Sequence, residues 1–99
     1  MTINKTQTDG KLTFALEGRL DTTTAPQLQE VLIPSFEDAK DVNLDFSNLV
    51  YVSSAGLRVL LMGHKTAKEK EAVMTLSNIS QEIMEVFEMT GFSEMLTIV

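Results

Sequence analysis

Apolar and polar residues alternate twice near the start of the chain, weakly over Thr2 to Thr8 and clearly over Lys11 to Glu17, with Asp9-Gly10 between the two runs. A period of two places alternate side chains on opposite faces of a strand, and an Asp-Gly pair suits the tight turn of a hairpin. From Thr22 the period lengthens. A Thr-rich stretch precedes Ala25-Pro26, after which Leu28, Val31, Leu32 and then Phe36 recur at spacings of three and four, the repeat of a helix with one buried stripe. This helix is expected to begin near Thr24. Pro26 suits its first turn, where a missing N–H is harmless, and Pro34 should bend or shorten its end.

Asp41 to Phe46 returns to the period of two, with Val42, Leu44 and Phe46 on one face and Asn43 and Asp45 on the other, as in a half-buried strand. Asn48 to Val52 then leads into Ser53-Ser54-Ala55-Gly56. Beyond that turn Leu57, Leu60, Leu61 and His64 fall on one helical stripe, and Lys65, Lys68 and Lys70 crowd the later turns, where cations suit a helix C-terminus. Ala72 to Leu76 reads as a short inner strand. Ser77 to Ser80 offers a cap for a third helix, with Ile83, Val86 and Phe87 turned inward and Glu82, Glu85 and Glu88 toward solvent. Gly91 should close that helix in the left-handed conformation, with Phe92 packing back. Met95 to Val99 is a candidate final strand. The order β-β-α-β-α-β-α-β predicts an α/β fold in which residues 1–99 form one small domain, a mixed sheet with helices packed against it through right-handed crossovers.

Composition narrows what such a domain can do. With 99 residues, 43% of them hydrophobic and 22% charged, a compact core is affordable but a deep enclosed cavity beside it is not, so no large cofactor is expected. The absence of cysteine and the single His64 exclude disulfides, zinc fingers, iron–sulfur centres and thiol nucleophiles and leave little for a metal. Eight scattered basic residues against fourteen acidic ones, a net charge of -6, argue against nucleic acid or an anionic membrane surface. The expected partner is a protein. The polar N-terminus carries no signal pattern, and no apolar run approaches the ~18–20 residues that cross a bilayer, so a cytoplasmic location is expected. The open edge of the hairpin could pair between chains, which makes a monomer or weak dimer the expected state.

The most informative chemistry lies in Ser53-Ser54-Ala55-Gly56, where a strand hands over to a helix. A serine there is a favoured N-cap, and the glycine relieves crowding. The same position also tolerates a phosphate, since free N–H groups and the positive end of the helix dipole face it. A hydrolase nucleophile fails, because Val52 stands where the elbow needs its first glycine and His64 lies about 15 Å along the same helix from Ser54. His64 reads as a packed or partly exposed structural side chain. Asp21, after Gly18-Arg19-Leu20, sits in a loop at one end of the sheet, where it can cap Thr23 or Thr24; Asp41 and Asp45 read as solvated strand residues rather than its catalytic partners. The five isolated glycines form no phosphate loop. Most of the six methionines read as core, with Met62, off the apolar stripe, as an interface candidate. No catalytic set emerges, so the chain is read as a binding protein rather than an enzyme.

Three segments together resemble the STAS domain family, and within it the free-standing bacterial anti-sigma-factor antagonists. They are Gly18-x-Leu20-Asp21, Leu44-Asp45-Phe46-Ser47 running through Tyr51-Val52 into Ser53-Ser54-Ala55-Gly56-Leu57, and Phe87 ahead of Met89-Thr90-Gly91-Phe92. The resemblance implies partner exchange. The unphosphorylated antagonist binds an anti-sigma factor that is often also a serine kinase, frees a sigma factor, and is released when one serine is phosphorylated. The phosphorylated serine precedes an x-Gly pair and maps to Ser54, with Ser53 as the alternate. The partner surface would comprise Asp21, Thr22, Ser53, Ser54, Ala55, Gly56, Arg58, Val59 and Met62. Many members carry Asp where this chain has Ser53, so kinase recognition and the choice of serine stay open. The competing reading is an adaptor subunit of a membrane transport complex that uses the same surface without phosphorylation.

Overall fold

The computed structural model describes all residues from Met1 to Val99. Strands β1 (Thr2–Thr8) and β2 (Lys11–Leu20) form the expected hairpin, antiparallel, and the chain turns between them with positive φ at both Asp9 and Gly10. Helix α1 (Ala25–Ser35) follows, then β3 (Asp41–Val52), α2 (Ser54–Glu69), β4 (Val73–Ser77), α3 (Gln81–Thr90) and the single-turn α4 (Phe92–Met95). β2, β3 and β4 are mutually parallel, which gives a mixed sheet of order β1-β2-β3-β4. The expected last strand is reduced to one parallel bridge, Ile98 beside Leu76, with Met95 still in α4. No helix is long and apolar enough to cross a membrane.

The period of two explains the layering. Leu12, Phe14 and Leu16 of β2, Val42, Leu44 and Phe46 of β3, and Met74 and Leu76 of β4 are all buried on one face, where α1, α2 and α3 cover them. Phe46 meets Phe87 of α3 edge to face, with ring centroids 6.2 Å apart, an arrangement that adds to the burial itself. The opposite face stays open and polar. Its centre is Asn43, buried among neighbouring side chains, which donates to Thr75 Oγ1 at 2.9 Å and accepts from Ser77 Oγ at 3.1 Å.

Asp45, beside Asn43 on β3, is half-buried rather than freely solvated. It accepts hydrogen bonds from the Ser47 hydroxyl, the Asn78 side chain and the Ser47 N–H, in that order of weight, and they hold its carboxyl below the ordinary value. A carboxylate whose folded pKa is depressed stabilises the fold above its ordinary pKa, and the contribution disappears as pH falls through the lower folded value. Asp45→Asn is therefore expected to lower the urea midpoint at neutral pH. Its deficit should close toward zero in acid; a deficit that stays constant down to pH ~2 contradicts this account.

Methionine packing departs from expectation. Only Met74 is fully buried, whereas Met89 is 87% and Met95 45% exposed. The buried stripe of α2 also differs from the one its leucines suggest. Gly56, Leu57, Val59, Leu60, Gly63 and Ala67 are buried, while Leu61 and His64 are only partly so. A Cβ at Gly63 would come within 2.7 Å of Leu32 and 2.9 Å of Met74, so the absent side chain is what lets α2 lie between α1 and β4.

Candidate functional site

Two chain segments meet at the end of the sheet where β2 and β3 finish. Val52 is in register with Leu20, and the next residue, Ser53, donates its N–H to the Leu20 carbonyl at 2.9 Å. The loop that begins at Asp21 and the helix that begins at Ser54 are thereby fixed side by side. Gly56 makes this approach possible, since a Cβ there would sit 2.7 Å from Leu20 Cγ and 3.0 Å from the Leu20 carbonyl oxygen.

The loop is tied to itself. Asp21 Oδ1 accepts the N–H groups of Thr23 at 3.0 Å and Thr24 at 3.1 Å, while Thr24 Oγ1 accepts the Asp21 N–H at 2.8 Å and lies 2.8 Å from the Arg19 carbonyl. The Thr24 N–H, followed by the Thr23 N–H, the Thr24 hydroxyl and nearby Arg19, holds the Asp21 carboxyl below its ordinary value. Asp21 thus shapes the entry to α1, as its place before a threonine run allowed, and leaves exposed Thr22 at the tip.

The two serines of the turn have different jobs. Ser53 is the N-cap of α2, its hydroxyl accepting the Gly56 N–H at 3.3 Å. Ser54, the first helical residue, is exposed and takes no part in the cap. Ser53→Ala is therefore expected to lower stability by about 1 kcal/mol, the usual value of a serine cap. Ser54→Ala should stay within ~0.5 kcal/mol of the parent, as surface changes do. Urea unfolding of both variants checks the pair, and equal losses would contradict the division.

Between α1 and α2 runs a shallow groove of about 230 Å³, with Thr22, Ala25, Pro26 and Gln29 on one wall and Ala55, Arg58, Val59 and Met62 on the other. Of the residues anticipated as partner-facing, Asp21 and Met62 are half-buried, Ser54 and Arg58 are exposed, and Gly56 and Val59 are buried. A larger hollow of about 430 Å³ lies apart from the serine turn, between the β1–β2 hairpin and α1.

Sequence reasoning missed one feature of this end of the sheet. Arg19 lies over the Tyr51 ring, 4.2 Å from its centroid, with its Nε 3.8 Å from Asp21 Oδ2. Val50, next to Tyr51 in β3, is 67% exposed. The pairing of Arg19 with Tyr51 depends on two register shifts between β2 and β3, which no alternation pattern reveals.

Comparison with known proteins agrees with this architecture. The STAS domain profile matches residues 2–99. BtrV of Bordetella bronchiseptica, a candidate anti-sigma factor antagonist, is 33% identical over 93 residues, spanning 93% of this chain and 80% of BtrV. The anti-sigma-B factor antagonist of Bacillus subtilis is 27% identical over 92 residues, spanning 93% of this chain and 84% of its own length. Among solved structures, the phosphorylated form of the Bacillus cell fate determinant SpoIIAA superposes with a TM-score of 0.77 at 17% identity, covering 99% of this chain and 91% of that one. From the profile match along nearly its whole length, the sheet order and the serine turn at the head of α2, the chain belongs to the STAS domain family.

Proposed function

We propose that the protein is an anti-sigma factor antagonist that binds an anti-sigma factor with serine kinase activity and is switched off by phosphorylation of Ser54, acting on transcription only through that partner. The observation that carries the reading is the division of labour in the turn. Ser53 Oγ is committed to the Gly56 N–H, whereas Ser54 is exposed, one residue before groove-lining Ala55, and free of structural duty. Names borne by relatives of similar length, and a phosphorylated form of a protein with the same fold, support it.

Transfer of the γ-phosphoryl group of ATP to Ser54 Oγ, with release of ADP and the hydroxyl proton, would add about 1.5 to 2 negative charges at pH 7 without disturbing the cap. In a close interface an unpaired charge of that size opposes binding by several kcal/mol.

The test is capture of partners by the unphosphorylated chain, followed by incubation of the complex with Mg-ATP and mass spectrometry. Trypsin would release Asp41 to Arg58 as one peptide containing Ser47, Ser53 and Ser54, so fragmentation must place the phosphate. Phosphate on Ser54 with loss of the partner supports the proposal. A transport ATPase as the captured partner, with no serine modified, would establish the adaptor reading instead.

A further inference from the structure

Arg58 is the one charged residue lining the α1–α2 groove. It is exposed, and neither of the two ion pairs in the structure, Arg19–Asp21 and Lys70–Glu37, includes it. The other guanidinium at this end of the sheet is already engaged, Arg19 being held over Tyr51 and beside Asp21.

Arg58 stands four residues after Ser54 on α2. Side chains at that spacing are neighbours on one helix face, and the pair is most favourable when the anion is the N-terminal member. Helical side chains also lean toward the N-terminus, over the preceding turn. The long Arg58 side chain can therefore reach from the groove wall back to the Ser54 oxygen without any movement of the backbone. A planar guanidinium can grip two phosphate oxygens at once.

We infer that Arg58 is the moving part of the switch: once Ser54 carries a phosphoryl group, Arg58 swings from the groove onto the phosphate and strips the groove of its single positive charge. Phosphorylation then changes the groove's charge twice, by adding negative charge at Ser54 and by withdrawing the one cation that lines it. The inference rests on Ser54 being the modified serine, and it deepens that reading by naming the residue that senses the phosphate.

The experiment introduces phosphoserine at position 54 of the full chain by genetic encoding, so that no kinase is needed. The second ionisation of the phosphate is followed by phosphorus NMR in the parent, Arg58→Gln and Arg58→Lys backgrounds. A cation beside the dianion lowers this pKa, so the Gln variant should titrate about 0.15 to 0.4 pH unit higher than the parent, with Lys between them. The difference should shrink at ~1 M salt, where the screening length is about 3 Å. In the parent, the Arg58 Nε–H resonance should also move on phosphorylation. Identical titration midpoints in all three backgrounds, or an Arg58 resonance unmoved by the phosphate, would overturn the inference. Because the phosphate is supplied directly, that outcome leaves the proposed function intact, and failure to find a Ser54 kinase leaves this measurement intact.

Discussion

Ser54→Asp should weaken binding to the proposed anti-sigma partner about ten-fold and full phosphorylation about a hundred-fold, while Ser54→Ala binds at parental strength and becomes indifferent to ATP. The size follows from where the residue stands. An exposed hydroxyl one residue before groove-lining Ala55 can be covered by a partner at small cost, but a carboxylate there must give up its water when the interface closes over it. The fold itself should not suffer, since acidic groups in the first turn of a helix are favourable by about 0.3 to 1 kcal/mol. Thermal unfolding therefore separates a true loss of affinity from damage. Titration calorimetry with the purified partner is the direct measurement, and an Asp variant that binds as tightly as the parent would refute the role given to Ser54.

Gly56→Ala should destabilise the protein by about 1 to 3 kcal/mol, the range for a methyl forced into a packed site, which corresponds to roughly 4 to 8 °C of melting temperature for each kcal/mol. Replacing a helical glycine by alanine would ordinarily help by ~1 kcal/mol. Here the new methyl would meet Leu20 at its branch carbon and at its backbone oxygen, and neither can turn aside. Gly63→Ala is the informative contrast. Its methyl meets the Leu32 methyl and the Met74 sulfur, ends of side chains that can shift, so the helix gain should offset much of the clash. Gly56→Ala should also weaken partner binding beyond its loss of stability, because α2 must move away from Leu20 and carry Ser54 from the Asp21 loop. Equal melting temperatures for the two alanine variants would show that the close approach at Leu20 is not rigid.

Much of the fold was legible because its signals are local. The Asp9-Gly10 turn and the left-handed Gly91 at the end of α3 follow from backbone preferences of single residues, and the alternation in β2 and β3 names the buried face directly. The candidate site was legible in part for the same reason: a serine before a helix caps it, and Ser53 does. What escaped was whatever depends on an absent side chain or on register. Hydropathy counts leucines, so Leu61 and His64 looked inward. The face is in fact set by Gly56 and Gly63, whose contribution is the space they leave. Arg19 and Tyr51 are far apart in sequence and face each other only after β3 has slipped twice against β2.

That slippage makes the length of β3 more constraining than its composition. From Ala15 to Leu20, β2 advances five residues, whereas its partner β3 advances seven, from Asp45 to Val52. Asn48 and Val50 within that stretch are exposed, so substitution there should be inherited freely. Loss of a single residue should not, because each later side chain would turn to the opposite face of the sheet and Ser53 would no longer meet Leu20. Drift in this segment should therefore change letters and keep count, and the distance in residues from Asp45 to Ser54 is a more durable mark of this turn than the exposed side chains between them.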